Sequence, residues 1–374
     1  MTLDRYEVRV SLQKLLLALL IVIVPLSAIG LYLTERSDKA LDQSIGTQFS
    51  TIAGLYGSQI SDAIRSRVAD VSSMASDPAL VSAVATASKS SVGGDDSALA
   101  QKIQKIGEAW NTPQGEATVK SVLYSSASES LRRHRDLDLR VMRIIATDEH
   151  GAVVAATQKP MKYSYADDAA WQAAYNNGQG VASVGEILFD SMHKAYYVDF
   201  AVPIFDAGSS RQIGVMVAAV NVSDLVQQFQ QPQIANGARA LLVSEDGSIV
   251  SGPKVDVFAR LKSDELGAIR DSLGTLQGRQ TGYVVADLKG GRRIIGFAET
   301  GLKQNFQNLG WIVLVSQDER AAAAPMRAVE VFALMMVVLG ILMVTLVGVY
   351  YYLHRSERIS DIQEVFPPRA ATAR

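Results

Sequence analysis

Residues 144–156, IIATDEHGAVVAA, decide the fold class of this 374-residue chain. Two apolar runs flank a short acidic turn that ends in Gly151, a pattern that predicts two strands joined in a β-hairpin. Residues 240–252, ALLVSEDGSIVSG, repeat the same order of strand, acidic turn, glycine and strand. Because such internal similarity marks a repeated architecture, the sequence predicts an α+β fold with two related modules in tandem.

The first module is predicted to contain five strands, with a helix inserted after the second. Residues 165–178, YADDAAWQAAYNNG, predict that helix, which an aspartate caps and which ends at Asn177-Gly178. Three further strands are expected over residues 181–190, 194–205 and 211–222. We therefore expect a largely antiparallel sheet.

The second module is predicted to repeat this scheme in shortened form. Its helix is expected over residues 263–273, and its remaining strands over residues 281–300 and 309–317. The run GWIVLV at residues 310–315 mirrors GVMVAA at residues 214–219, which supports the tandem repeat.

A long N-terminal helix is predicted ahead of the two modules. Apolar residues recur at steps of three and four until Asp77-Pro78, which is the period of an α-helix. The stripe consists of Leu41, Ile45, Phe49, Ile52, Tyr56, Ile60, Ile64, Val68, Val71 and Met74. We expect the stripe to be buried core, and also a homodimer seam and a mechanical lever. A loop over residues 89–97 and two shorter helices over residues 98–110 and 118–135 are expected to follow.

Two uncharged apolar runs predict transmembrane helices that flank the modules, at residues 15–33 and 331–353. Each run is long enough to cross a hydrocarbon core of about 30 Å. The alternatives are a buried core helix for either run and a cleaved signal peptide for the first. Basic residues in the outer flanks, residues 1–14 and 354–374, favour cytoplasmic termini under the positive-inside rule. The chain is therefore expected to cross a membrane twice, with residues 34–330 outside the cytoplasm.

The composition argues against several classes of function. The chain has no cysteine and only four histidines, which are widely spaced, so the sequence predicts no metal site. Its net charge of -2 provides no electrostatic footprint for nucleic acid. The sequence contains no P-loop, no GxSxG motif and no dinucleotide-binding glycine fingerprint, so neither catalysis nor a cofactor is expected.

Candidate ligand-binding residues cluster around the inserted helix of the first module. A small-molecule pocket needs aromatic walls and a few convergent polar groups. The candidates are Tyr163, Tyr165, Asp168, Trp171, Tyr175, Asp190, Tyr197 and Asp199. The two-residue period of a strand places Tyr197 and Asp199 on the sheet face towards that helix. The opposite face, from Tyr196 to Ile204, should pack on the long helix.

Several of these candidates also have a purely structural explanation. Trp171 is equally compatible with packing its helix on the sheet, and either Asp167 or Asp168 with a role as N-cap only. Asp190 is compatible with a turn residue, and Asp199 with a solvated strand residue.

The charge of the ligand is left open by the sequence. Asp190 and Asp199, if unpaired, favour a cationic or amine-bearing ligand. The nearby Arg143 and Lys162 could instead pair with a carboxylate.

The order of anchor, long helix, two modules and second span resembles the double-Cache sensors of bacterial membrane receptors over residues 34–326. Between residues 144 and 225, the stretches IIATDEHGAVVAAT, WQAAYNNGQG, AYYVDFAVPIFD and IGVMVAAVNVSDL are similar to successive Cache signatures. The resemblance implies PAS-like antiparallel-sheet modules in a bacterial cytoplasmic (inner) membrane protein. It implies that residues 34–233 hold a membrane-distal module that binds a small ligand, and that residues 234–326 form a membrane-proximal module that relays the signal.

One subfamily of these sensors recognises amino acids through an Arg-x-Trp-Tyr stretch, a Tyr-x-Asp stretch and a later Asp. Trp171 and Asp190 match these motifs. The other motif positions are occupied by Ala169, Gln172, Leu188 and Asn221. These departures remove the arginine and the aspartate that would pair with the carboxylate and the ammonium of an amino acid. The resemblance therefore does not carry an amino-acid ligand over to this chain.

We expect a sensor that binds a small molecule in its distal module and signals through a separate protein in the membrane or cytoplasm. Because only 21 residues follow the second span, we expect no output domain within the chain. The alternatives are a membrane-tethered solute-binding protein that delivers its ligand to a transporter or receptor, and a structural envelope protein.

Overall fold

The computed structural model describes most of the chain. The described residues are 12–91, 96–231, 234, 237–255, 261–275, 281–306, 308–322, 324, 331, 334–346 and 348–350. The chain divides into two compact units, Met1–Asp318 and Glu319–Arg374. All the strands described below lie in the first unit.

Helix α1 spans Leu12–Ala75, so one continuous helix of 64 residues joins the first apolar run to the amphipathic stripe. Every residue of the stripe is buried or half-buried, which confirms the prediction that the stripe is core. Phe49, Ile60 and Ile64 are at most 2% exposed.

Four shorter α-helices and one 3₁₀ turn (Pro113–Gly115) are described between α1 and the first strand. The α-helices are α2 (Pro78–Ser91), α3 (Asp96–Ala109), α4 (Glu116–Leu123) and α5 (Ser126–Leu137). The single helix expected over residues 118–135 is wrong, because the Ser125 hydroxyl accepts a hydrogen bond from the Ser128 amide and caps a new helix. The loop expected over residues 89–97 is shorter than predicted, because α2 continues to Ser91 and α3 begins at Asp96; residues 92–95 lie outside the described residues.

The first sheet confirms the predicted five strands with an inserted helix. Its strands are β1 (Val141–Asp148), β2 (Val153–Ala156), β3 (Ser183–Asp190), β4 (Ala195–Phe205) and β5 (Gln212–Asn221). Every pair is antiparallel, in the spatial order β2-β1-β5-β4-β3. Helix α6 (Ala169–Tyr175) follows β2 and packs on β3, β4 and β5.

The second sheet repeats this topology strand for strand. Helix α7 (Ser223–Gln230) leads into β6 (Arg239–Ser244), β7 (Ile249–Ser251), β8 (Thr281–Leu288), β9 (Gly291–Glu299) and β10 (Trp311–Asp318). The spatial order is β7-β6-β10-β9-β8. Helix α8 (Asp264–Thr275) follows β7 as α6 follows β2. The prediction of two tandem modules is therefore confirmed.

Helix α1 contacts both sheets, at β4 in the first and at β8, β9 and β10 in the second. Gly296 permits the close approach to β9, since a Cβ there would lie 2.4 Å from the carbonyl carbon of Phe49. Arg67 of α1 is only 3% exposed, and its Nη2 donates to both carboxylate oxygens of Asp224, at 3.1 and 2.8 Å. Asp224 lies in the first turn of α7, so this ion pair joins α1 to the connection between the modules.

Among the described residues, we find no helix that combines the length and the apolar character needed to cross a membrane. The spans expected at residues 15–33 and 331–353 stay predictions, because the side chains of the first and several residues of the second lie outside the described part of the chain. Residues 1–11 and 351–374 of the expected cytoplasmic ends also lie outside it. In the second unit, residues 334–346 and 348–350 are helical, and most of their large apolar side chains are exposed.

Candidate functional site

Asp168 begins helix α6 in the first module. Its Oδ1 accepts hydrogen bonds from the backbone amides of Ala170 and Trp171, at 3.1 and 3.4 Å. This is the geometry of a helix N-cap. The preceding Asp167 is exposed and pairs with Lys162 at 2.6 Å. Asp168 therefore caps the N-terminus of α6.

Trp171 fixes α6 to the sheet. Its indole is 5% exposed, and Nε1 donates a hydrogen bond to Thr147 Oγ1 at 2.7 Å. The ring also stacks on Tyr175, with 4.7 Å between the centroids. Because Thr147 belongs to β1, this bond holds the helix against the strand that begins the module.

A cavity of about 760 Å³ lies beside Trp171. Ile103 and Gly107 of α3, Asp167 and the turn residue His150 contribute to its wall. Pockets for small molecules have volumes of about 300–1,000 Å³. The distal module therefore has room for a small solute next to α6. Of the predicted site residues, Trp171 lines this cavity, and the other seven are not among its described lining residues.

Arg143 and Asp199 form an ion pair on the sheet face that carries α6. Arg143 Nη2 lies 3.2 Å from Asp199 Oδ1. In the strand register, Arg143 on β1 and Asp199 on β4 are both direct partners of Ala219 on β5. Direct antiparallel partners share a face, and the alanine side chain is short. The two longer side chains can therefore meet across β5.

Burial and mutual charge govern the ionisation of this pair. Burial raises the pKa of Asp199, while the charge of Arg143 opposes that rise and the charge of Asp168 adds to it. Burial also acts to lower the pKa of Arg143, but Asp199 and Tyr197 outweigh this effect and raise it. Burial raises the pKa of the Tyr165 phenol. The guanidinium carbon of Arg143 lies 4.9 Å from the centroid of the Tyr197 ring.

Two predicted site residues make their contacts elsewhere. Tyr163 packs against Trp110, with 5.2 Å between the ring centroids. Asp190 accepts hydrogen bonds from the backbone amides of Met192 and His193, and His193 Nδ1 lies 2.7 Å from its Oδ2. Asp190 is therefore the last residue of β3, and its carboxylate binds the amides of the turn that follows, in agreement with its structural explanation.

The structure brings four of the predicted residues together around Arg143, namely Tyr165, Asp168, Tyr197 and Asp199. Leu188 on β3 and Asn221 on β5, two of the aligned motif positions, are direct partners of Tyr197 on β4. These two motif positions therefore lie beside Tyr197, two residues along β4 from Asp199 of the ion pair. Within the described part of the chain, no group of three or more histidine, aspartate or glutamate side chains could hold a metal ion.

Comparison with known proteins gives one family match. A family model described as "Cache domain" matches residues 37–326. No curated protein matches the sequence.

Among solved structures, three chemoreceptor domains illustrate the similarity. The ligand-binding domain of the Pseudomonas fluorescens chemoreceptor CtaA, in complex with L-leucine, is 14% identical, with a TM-score of 0.44 and coverage of 76% of this chain and 97% of that one. The ligand-binding domain of the Pseudomonas aeruginosa amino acid chemoreceptor PctC, in complex with GABA, is 15% identical, with a TM-score of 0.45. The match covers 73% of this chain and 100% of that one. A Campylobacter jejuni chemoreceptor sensory domain with isoleucine bound is 12% identical, with a TM-score of 0.47 and coverage of 76% and 97%.

Proposed function

The chain belongs to the Cache domain family, and we propose that it is a membrane-anchored sensor, not an enzyme, whose first module binds a small-molecule ligand outside the cytoplasm. In this proposal, residues 34–233 form the ligand-binding distal part, and residues 234–326 form the membrane-proximal module. The observation that carries the proposal is the half-buried ion pair between Arg143 and Asp199 beneath α6.

A half-buried ion pair has a desolvation penalty, which suggests that the pair is retained for a function. The side chains of Arg143 and Asp199 are 30% and 22% exposed, so both have lost much of their water without being sealed in the core. Removing charges from water carries a penalty that a single contact between them need not repay. Perturbed, partly accessible charges are for this reason typical of functional sites. A ligand with polar groups would complete their hydrogen bonds, and Tyr165 and Tyr197 would provide aromatic walls.

Helix α1 is the element best placed to transmit ligand binding. It contacts β4 of the distal sheet and three strands of the proximal sheet, and Arg67 joins it to Asp224 between the modules. A ligand shifts such an arrangement only by binding its two states differently. We propose that α1 moves against its surroundings on binding and that a separate protein detects the movement.

Membrane insertion through residues 15–33 and 331–353 is part of the proposal. It rests on the two uncharged apolar runs and on the exposed apolar side chains of the helical residues 334–346. Because the chain has no cysteine, Asp287→Cys would introduce a single exposed thiol. We expect a membrane-impermeant maleimide to label this thiol in intact cells. Labelling only after lysis would contradict the proposed topology.

Homodimer formation through α1 is also proposed. The apolar stripe of α1 is buried or half-buried within the chain, so we propose a seam on the exposed side of the helix, where Leu55 is 59% exposed. In the cysteine-free chain, Leu55→Cys should form an intermolecular disulfide once the chain is inserted in its membrane. Asp136→Cys, on α5 at a position whose side chain is 65% exposed, serves as the control for random collision. Equal crosslinking of both variants would argue against a seam at Leu55.

Ligand binding is tested with the full chain in lipid nanodiscs. A thermal-shift screen of small metabolites, with L-leucine, isoleucine and GABA among them, would identify a stabilising compound. We expect Arg143→Gln and Asp199→Asn each to raise the Kd of this compound roughly tenfold, because a hydrogen bond to a charged group contributes about 1.5–3 kcal/mol. Arg133→Gln and Asp136→Asn, at exposed positions of α5, should leave the Kd unchanged. No stabilising compound, or equal affinity in all four variants, would contradict the proposed function.

A further inference from the structure

The proximal module contains a cavity of its own, of about 720 Å³. It lies beside α8, the helix that occupies in this module the chain position of α6 in the first. Leu266, Leu309 and Trp311 give it an apolar wall and are at most 6% exposed. Its volume is close to that of the cavity beside Trp171, about 760 Å³, so the proximal module has as much room for a solute as the distal one.

Four charged side chains line this proximal cavity, and they differ in how they are partnered. Lys303 and Glu245 neutralise each other, with Lys303 Nζ 2.7 and 2.6 Å from the two carboxylate oxygens. Arg270 of α8 and Glu299 at the end of β9 have no side-chain hydrogen bond or ion pair among the residues that the structure describes. Both side chains are exposed, so water solvates them, and the cavity presents one cation and one anion beside an apolar wall.

We propose that this cavity is a second ligand site, which binds a small dipolar solute with an anionic group, a cationic group and an apolar body. The guanidinium of Arg270 would pair with the anionic group, and the carboxylate of Glu299 with the cationic group. The apolar body would lie against Trp311 and Leu266. This site is independent of the proposed function of the distal module, since none of its residues belongs to that module.

The wall of this cavity also faces helix α1. Glu299, Thr300, Gly301 and Gln304 line both the cavity and a cleft of about 270 Å³ on the side of α1. Ser58, Asp62 and Arg65 of α1 line that same cleft. A solute in the proximal cavity would therefore contact the segment that borders α1. Its binding would affect α1 directly, with no contribution from the distal module.

The experiment uses ¹⁹F NMR of the full chain in detergent micelles, labelled with 5-fluorotryptophan. The chain has three tryptophans, and the Trp311 resonance is assigned by its loss in Trp311→Phe. The probes are L-leucine, L-isoleucine, L-norvaline and L-tryptophan, which carry both charges on an apolar body. Isovalerate and isopentylamine carry only one charge each. We expect at least one dipolar probe to shift the Trp311 resonance saturably, and the single-charge probes to bind at least tenfold more weakly.

Variants locate the binding. Arg270→Gln and Glu299→Gln should each raise the Kd seen at Trp311 at least tenfold. Lys289→Gln and Asp287→Asn, exposed and outside the cavity, should change it less than twofold. Asp199→Asn in the distal module should also leave this titration unchanged, which separates this proposal from the proposed function. A Trp311 resonance that no dipolar probe shifts, or a shift that both cavity variants retain, would overturn the second site.

Discussion

Arg143 on β1 and Asp199 on β4 meet across Ala219 on β5, with 3.2 Å between Nη2 and Oδ1. A larger residue at the middle position would stand between them. The ion pair therefore depends on the short side chain of Ala219, which is apolar and does not contribute to the pair's hydrogen bonding. This dependence allows the ion pair to be disrupted without removing either charge.

We predict that Ala219→Leu weakens ligand binding at the distal site at least tenfold. The leucine side chain would separate the guanidinium from the carboxylate, and overpacking at this buried position should also cost about 1–3 kcal/mol of stability. Ala219→Gly leaves the gap open and serves as the control. Calorimetric titration of both variants with the compound found by screening measures the Kd. Wild-type affinity in Ala219→Leu would show that the solute does not use the pair.

We predict a stability contribution from Asp77 that depends on pH. Its Oδ1 accepts hydrogen bonds from the amides of Ala79 and Leu80 at the start of α2. Its Oδ2 accepts one from Ser130 of α5 and lies 3.3 Å from His134 Nε2. Burial acts to raise the pKa of Asp77, but these hydrogen bonds outweigh it and hold the pKa below the ordinary value of 3.8. A carboxyl whose pKa is lowered on folding stabilises the protein above its unfolded pKa, and this contribution is lost as the pH falls through the folded pKa.

Asp77→Asn should therefore destabilise the chain by about 1 kcal/mol at pH 7. The difference from wild type should shrink as the pH falls below 3.8. Urea denaturation in detergent micelles between pH 2 and 7 measures both effects. Asp136→Asn, whose side chain is 65% exposed, is the control. A difference between Asp77→Asn and wild type that stays constant over this range would refute the electrostatic explanation.

We predict that the ion pair between Arg67 and Asp224 couples α1 to the connection between the modules. Nε and Nη1 of Arg67 are buried without a hydrogen bond in the described part of the chain. Asp224 is the carboxylate in ion-pair contact with this guanidinium, and Asp138 adds a second, more distant negative charge. Asp224→Asn should cost about 1–3 kcal/mol, because it leaves a buried cation unpaired. The double variant Arg67→Met/Asp224→Asn should recover part of that loss. Arg67→Met alone completes the cycle, and a double variant whose loss equals the sum of the two single losses would show that the pair has no net coupling.

We predict that Gly296→Ala disrupts the packing of α1 on β9. A Cβ at this position would lie 2.4 Å from the carbonyl carbon of Phe49 and from the amide nitrogen of Ser50, so the helix must move. The expected loss of stability is about 1–3 kcal/mol, measured by denaturant unfolding. Gly290→Ala is the matched control, because its Cβ would meet nothing within 4 Å. Equal stability of the two variants would contradict the close approach.

The strands and their order followed from patterns that are local in the sequence. Alternating apolar residues predicted the strands of both sheets, and the repeat at residues 144–156 and 240–252 predicted the tandem arrangement. The inserted helix was predictable because Asp168 marks its start and the Asn-Asn-Gly run marks its end, although the helix ends at Tyr175, two residues before the predicted Asn177-Gly178. The division of residues 118–135 into two helices was not predicted, because a capping hydroxyl such as that of Ser125 interrupts a helix without changing its apolar period.

The composition of the candidate site was predictable, but its pairing was not. The two-residue period placed Tyr197 and Asp199 on the face towards α6, where the structure has them. The sequence presents Arg143 only as a partner for a ligand, because its position opposite Asp199 depends on the register of three strands. The hydrophobic pattern of β1 and β5, aligned so that Ile144 faces Ala218, would have supplied that register. Asp190 looked equally suitable in the sequence, yet its hydrogen bonds are those of a turn.

A structure of the full chain with its stabilising compound bound would locate the solute. We expect solute atoms within hydrogen-bonding distance of the Arg143 guanidinium or the Asp199 carboxylate, between Tyr165 and Tyr197. A solute bound elsewhere in the first module, with the 3.2 Å contact between Arg143 and Asp199 unchanged and no polar atom near it, would refute a binding site at this ion pair.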